Sequence, residues 1–321
     1  MVRIVADTST MYSSQQAKEA GFAVSPLAVT IAGETYRELD EMDGNRFVEI
    51  IHQGNMPRSS QPALGDVLDV YAACGDDEVL NIAMADGLSG TYSTAVTAAE
   101  ASPHKERITV LNSGTLCGPH RHLVETAVKL ARQGLGVADI RARLEALMQT
   151  ERSFLIPSDF DYLRRGGRLS PLVSYVGKAI KLAPVLTLSA DRRQLVMSSV
   201  KRSFKQAVAH VSKELTAHGV GEGWRIYVTH AAVPEMAQAA PFGIPPLPRI
   251  RVRAQGGDPT GASQGRAATG WVLRLLVRGL AALPGTPCAQ VNKKTPPSHA
   301  QPGGVERYRV IAAAVSPLRR V

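Results

Sequence analysis

Residues 78–99 decide the fold, and their sequence is Glu78-Val-Leu-Asn-Ile-Ala-Met-Ala-Asp-Gly-Leu-Ser-Gly-Thr-Tyr-Ser-Thr-Ala-Val-Thr-Ala-Ala99. The first part is a short, mostly apolar run of the kind found in buried parallel strands. A turn containing Gly, Ser and Thr follows, and small apolar residues then recur as they do along a helix. This order of strand, turn and helix is the βα unit of an open α/β sheet, in which ligands bind outside the carboxyl ends of the strands.

Ser89, Gly90 and Thr91 stand at the start of the predicted helix. Two hydroxyls beside unpaired backbone N–H groups form an anion site that needs no charged side chain. The alternative is that Ser89 or Thr91 only caps the helix, which is the commoner role of a single Ser-Gly-Thr.

The rest of the chain divides into three regions. Strand and helix patterns alternate through residues 1–152, which predicts an α/β domain with a parallel sheet. Residues 153–240 contain strand pairs followed by a helix, which predicts a second α/β (α+β) domain. Residues 241–321 form a basic, proline-rich tail that lacks sustained periodicity.

Two further stretches are candidates for binding. Ser59, Ser60 and Gln61 lie between two prolines, which hold the segment extended and present its hydroxyls. Arg164, Arg165 and Arg168 surround a pair of glycines. Such a group can hold a carboxylate or phosphate or pair with a partner's acidic residues, and a solvated turn is an equally good interpretation.

Composition describes an ordinary globular protein of 321 residues, with 44% apolar and 20% charged residues. Its three cysteines form no CxxC pair and its histidines show no metal-ligand spacing, so we expect no disulfide framework, metal or cofactor. A cytoplasmic location is the default, without a membrane segment. We expect His120 and His122 to face solvent.

Charge is concentrated in the tail. Residues 241–321 hold 12 of the 37 Lys and Arg residues, 2 of the 28 Asp and Glu residues and 11 of the 20 prolines. The body is therefore close to neutral, and the tail lacks the interleaved aromatic residues that would support nucleic-acid binding.

A serine hydrolase is one hypothesis, with Ser89 as nucleophile and Asp7, Asp86 and His230 at the ends of predicted strands. The GxSxG elbow is missing, because Thr91 occupies the position of its second glycine.

Six stretches follow one another along the chain, namely Asp7-Thr-Ser9, Ser25-Pro-Leu-Ala-Val29, Ser59-Ser-Gln-Pro62, Leu88-Ser-Gly-Thr-Tyr-Ser-Thr-Ala95, Leu163-Arg-Arg-Gly-Gly-Arg-Leu-Ser170 and Ala183-Pro-Val-Leu186. Together they resemble the DegV family of bacterial lipid-binding proteins. Their order is far more specific than any one of them. The resemblance covers about residues 1–240.

The resemblance implies a two-domain fold with a long-chain fatty acid in an apolar tunnel between the domains. It implies that the carboxylate is held by Ser59, Ser60, Ser89, Gly90 and Thr91, with Ser59 standing where the family usually has Thr. It further implies that a separate kinase subunit phosphorylates the carboxylate, so that this protein does no chemistry itself. We place the docking surface for that kinase at Arg164, Arg165 and Arg168.

One departure from the family concerns the carboxyl-terminal region. The resemblance implies a His-Thr-Gly-Pro-Gly-like loop after residue 240, and no such loop is found there. We therefore expect an incomplete second domain and an extended, poorly packed tail, and hypothesise that the reading frame shifts near Ala240. The alternatives are an added tail that binds an acidic partner, or a degenerate product that binds nothing.

Overall fold

The computed structural model describes residues 1–42, 47, 49–51, 53–157, 163, 165–169, 182–220, 224–230, 251–255 and 310–317; for residues 225, 230, 251–255 and 310–317 this means the backbone alone. The chain has a mixed α/β architecture with two large sheets, which confirms the predicted fold class.

The first domain is built on a four-stranded sheet with the order β2-β1-β6-β7, in which every pair is parallel. The alternation of strands and helices explains this arrangement, since parallel neighbours need a crossover between them. The strands of this domain are β1 (Val2–Asp7), β2 (Ala23–Ser25), β3 (Ala28–Ile31), β4 (Glu34–Arg37), β5 (Arg58–Ser60), β6 (Glu78–Ala83) and β7 (Ile108–Asn112). Its helices are α1 (Ser14–Ala20), α2 (Leu64–Ala72), α3 (Thr91–Ala101), α4 (Cys117–Arg132) and α5 (Val137–Met148).

A small antiparallel sheet, ordered β4-β3-β5, lies beside the parallel one. In it Val29 pairs with Ser59 and Ala28 with Ser60. This pairing fixes the extended segment between Pro57 and Pro62 in place.

Helix α4 begins at Cys117, six residues before the amphipathic spacing that starts at Leu123. Pro119 does not prevent this, because the first turn of a helix has no internal partner for the N–H that proline lacks. The early start places His120 and His122 on the helix, where both are buried. The expectation that they face solvent is wrong.

The second domain is built on a six-stranded sheet with the order β10-β9-β8-β13-β11-β12. All of its pairs are antiparallel except β11 with β12. Its elements are β8 (Arg152–Pro157), β9 (Ala183–Leu188), β10 (Leu195–Lys201), α6 (Phe204–Ala217), β11 (Trp224–His230), β12 (Arg251–Gln255) and β13 (Val310–Pro317).

Strands β12 and β13 come from the region that was expected to be an extended tail. Strand β13 lies inside the sheet and pairs with β8 on one side and β11 on the other. The expectation of a poorly packed tail and an incomplete sheet is therefore wrong for residues 251–255 and 310–317. Composition averaged over the whole region hides these two short segments, although an apolar run such as Val310–Val315 suits a central strand.

The largest apolar core joins the two domains. It contains Leu27, Met84 and Leu116 of the first domain together with Phe154, Val185 and other buried residues of the second. The ends of the first domain's strands therefore pack directly on the second domain. Among the residues that the structure describes, no helix combines the length and apolar character needed to cross a membrane.

Candidate functional site

A cavity of about 530 Å³ lies where the two domains meet. Its size falls within the range of small-molecule sites. Apolar side chains cover part of its wall, namely those of Leu27, Met84, Leu88, Leu116, Leu163 and Leu195. Several of these also belong to the core that joins the domains, so the apolar part of the wall is continuous with that core.

Hydroxyl groups from two loops cover another part of the wall. Ser59 and Ser60 come from β5, and Ser89 and Gly90 come from the turn between β6 and α3. Four of the five residues predicted for the head-group site therefore line one cavity. Thr91, the fifth, is buried one residue into α3 and contacts Ser89.

The loop formed by residues 88–91, which we call the SGT loop, is held by internal hydrogen bonds. The Oγ of Ser89 lies 2.8 Å from Oγ1 of Thr91 and accepts the backbone N–H of Thr91 at 3.3 Å. Ser89 thus covers one N–H at the helix start, as the capping interpretation expects. Gly90, the N-cap residue itself, makes no side-chain hydrogen bond to the helix, because it has no side chain.

Gln61 joins the two loops. A Cβ added at Gly90 would lie 2.9 Å from Oε1 of Gln61, so the amide side chain rests directly on the glycine. The serines of β5 and the SGT loop are therefore parts of one surface, although about 30 residues separate them in the chain.

Residues 7–9 support the wall from behind. Asp7 accepts the backbone N–H groups of Ser9 and Met84, both at 2.9 Å, and the Oγ1 of Thr8 accepts the N–H of Leu27 at 3.0 Å. Leu27 and Met84 line the cavity. These buried polar groups therefore position the wall without themselves lining it.

His120 also helps to hold the cavity wall in place. It was not predicted as a site residue from the sequence. Its Nε2 lies 2.6 Å from the carbonyl oxygen of Ile82, which can only accept, so Nε2 carries a proton. Its Nδ1 lies 2.7 Å from the Oγ of Ser9. The imidazole thereby ties α4 to the ends of β1 and β6, a role that no local sequence motif signals.

Arginines line the exposed side of the cavity. Arg58, Arg165 and Arg168 all belong to its wall. Arg168 donates from Nε to the carbonyl oxygen of Leu88 at 3.4 Å and also donates to the carbonyl oxygen of Gly166. Arg164 lies outside the described residues. Two of the three predicted docking residues therefore lie on the wall of the cavity itself, and Arg168 contacts the SGT loop.

Among the described side chains, neither carboxylate of the hydrolase hypothesis, Asp7 or Asp86, forms a hydrogen bond with the hydroxyl of Ser89. The hydroxyl of Ser89 bonds to Thr91, Asp86 pairs with Arg193, and Asp7 holds backbone N–H groups. The side chain of His230 lies outside the described part of the structure.

The family model described as "Uncharacterised protein, DegV family" matches residues 1–241. The chain belongs to the DegV family. The match ends where the composition of the chain changes.

Relatives in this family share much of the chain. A DegV domain-containing protein of Halalkalibacterium halodurans is 32% identical over 220 residues, which are 67% of this chain and 76% of that protein. The crystal structure of DegV, a fatty acid binding protein from Bacillus subtilis, is 26% identical and superposes with a TM-score of 0.70 over 79% of this chain and 91% of that one.

A second solved structure with this fold is the fatty acid kinase (Fak) B3 protein of Streptococcus pneumoniae loaded with linoleic acid. It is 22% identical and superposes with a TM-score of 0.68 over 79% of this chain and 92% of that one. At this identity the likeness is one of fold alone.

Proposed function

We propose that this protein binds one long-chain fatty acid in the cavity between its domains and presents the carboxylate to a partner kinase. The observation that carries the proposal is the division of one cavity wall into an apolar part and a part made of hydroxyl-bearing loops. Such a wall matches a molecule with a long hydrocarbon chain and a single polar end.

The carboxylate would lie at Ser59, Ser60 and the SGT loop. Hydrogen bonds to an ionised group are shorter and about twice as strong as neutral ones, so hydroxyl and N–H donors can hold a carboxylate without a buried cation. The amino terminus of α3 adds a favourable dipole for a negative charge. Arg58, Arg165 and Arg168 on the exposed side supply a positive field that attracts an anion.

The hydrocarbon chain would lie against Leu27, Met84, Leu88, Leu116 and Leu195. Burial of each CH₂ group contributes about 0.8 kcal/mol, so the chain supplies most of the affinity and the loops supply the orientation. The protein itself acts as a carrier in this proposal.

The kinase as partner follows from the family resemblance. Arg165 and Arg168 are exposed beside the proposed head group. They are therefore placed to meet an acidic partner surface or the phosphate that is transferred.

The proposal is tested by titrating delipidated protein with fatty acids of increasing length and with their methyl esters. Affinity should rise by about fourfold per CH₂, which is what about 0.8 kcal/mol represents, until the cavity is full. The methyl esters should bind much more weakly, because they carry no charge. Equal affinity for acid and ester would contradict the head-group site, and hydrolysis of the esters would favour the hydrolase hypothesis.

A further inference from the structure

The hairpin between β9 and β10 reaches across from the second domain to the first. Its tip, residues 189–194, contacts two loops that follow strands of the parallel sheet. A Cβ added at Gly87 would collide with the Cα and the carbonyl oxygen of Arg193. A Cβ added at Gly114 would lie 2.9 Å from the Cδ of Arg192.

Residue 87 must be glycine because the backbone of Arg193 lies so close to it, and not because of its own backbone conformation. Its φ does not fall in the left-handed region that favours glycine, in contrast to Gly114 at φ 57°. The φ of Gly87 therefore does not itself call for glycine, but an added side chain would collide with the hairpin. The backbone of Arg193 therefore lies directly on the turn that leads into the SGT loop, two residues before Ser89.

Side chains reinforce the contact. The guanidinium of Arg193 pairs with the carboxylate of Asp86, the residue before Gly87. Arg192 donates to the carbonyl oxygen of Met148 and lies 3.6 Å from the carboxylate of Glu151, at the crossing from the first domain to the second.

The tip is itself held in one shape. Ser189 and Gln194 share a backbone hydrogen bond of 2.9 Å, and the N–H of Arg193 donates to Asp191 at 3.1 Å. Arg192 adopts a φ of 62°, a left-handed conformation that is energetically unfavourable for a non-glycine residue. The contacts of its side chain with the first domain offset this cost.

We propose that this hairpin tip positions the SGT loop for the carboxylate, with Arg193 and Arg192 acting as positioning residues from the second domain. The inference rests on the proposed function. It predicts that recognition of the charged head group, and not burial of the hydrocarbon chain, depends on contact between the tip and Gly87.

The test compares Gly87→Ala with Gly65→Ala, a control on α2 where an added Cβ meets nothing within 4 Å. Each variant is titrated with a long-chain fatty acid and with the primary alcohol of the same length. Gly87→Ala should lose affinity for the acid by about tenfold, the equivalent of one hydrogen bond to a charged group, while affinity for the alcohol and the control should stay within about twofold.

Arg192→Gly provides a second variant that relieves the left-handed backbone and removes the side chain that reaches the first domain. It should also lose affinity for the acid selectively, even if Gly87→Ala fails to fold. Equal losses for acid and alcohol, or no loss for either ligand, would overturn the inference. Failure of the wild type to bind the acid would instead overturn the proposed function.

Discussion

The side chain of Gln61 lies on Gly90, with its Oε1 only 2.9 Å from where a Cβ of residue 90 would be. This contact joins the loop after β5 to the SGT loop. It gathers hydroxyls from two distant stretches of chain into one wall of the cavity. The proposed head-group site depends on that convergence.

Ser89→Ala should weaken fatty-acid binding by about 1.5–3 kcal/mol, the usual range for a hydrogen bond to a charged group. Isothermal titration measures the loss. Ser93→Ala is the matched control, because Ser93 is an exposed serine in the first turn of the same helix and does not line the cavity. If both variants bind as the wild type does, Ser89 is only a helix cap.

Arg168→Ala should slow phosphorylation of the bound fatty acid more than it weakens lipid binding. Phosphorylation is measured with a purified fatty acid kinase subunit and ATP at saturating lipid, and binding is measured separately. Arg141→Ala is the control, since Arg141 is an exposed arginine on α5, paired with Glu145.

Charge reversal at Arg168 is a less informative variant than truncation to alanine. Because Arg168 lines the cavity wall, a carboxylate there would repel the ligand itself. If Arg168→Ala abolishes binding while phosphorylation of the residual complex is normal, the docking role is wrong.

Glu151→Gln should stabilise the protein at neutral and alkaline pH. Burial raises the pKa of Glu151 to about 8 although Arg192 lowers it, and no described residue donates a hydrogen bond to its carboxylate. The unfolded carboxyl titrates near 4.5, so stability that is present below about pH 4.5 is lost as the pH rises to about 8. A glutamine side chain does not ionise, so the variant does not lose stability in this way as the pH rises.

The free energy of unfolding, measured by urea denaturation across this pH range, checks the prediction. The advantage of Glu151→Gln should grow from about pH 4.5 to about pH 8 and then level off. Glu145→Gln, at a half-buried glutamate on α5 that is paired with Arg141, is the control. A difference from wild type that is independent of pH would contradict the assigned titration.

Local signals in the sequence predicted most of the regular structure. Ser13 caps α1, where Gln16 completes a capping box, and Gly21 ends the helix at a φ of 96°, all features carried by neighbouring residues. The alternation of strands and helices correctly predicted the parallel sheet. These features depend on short-range chemistry, which a sequence displays directly.

Contacts between distant segments could not be predicted in this way. Three examples depend on how separate elements pack. They are the burial of His120, the position of Arg168 on the cavity wall and the contact of Arg193 with Gly87. No spacing within the sequence encodes them. Strand β13 was missed for a related reason, since its partners β8 and β11 lie far away in the chain.

The hypothesis of a shifted reading frame stays a prediction. The family match ends at residue 241, which agrees with it, whereas the pairing of β12 and β13 with the second domain counts against its structural consequence. Translation of the underlying nucleotide sequence in the other two frames decides the question. A strand followed by a His-Thr-Gly-Pro-Gly-like loop should appear in one of them, and its absence from both would disprove the shift.

The most direct test of the central claim is mass spectrometry of the protein as purified from a bacterial host, first under native conditions and then after lipid extraction. The account predicts one bound molecule per chain, with the mass of a long-chain fatty acid, and a lower occupancy in Ser89→Ala than in Ser93→Ala. Protein that carries no lipid, and takes up none when fatty acid is added after delipidation, would contradict it.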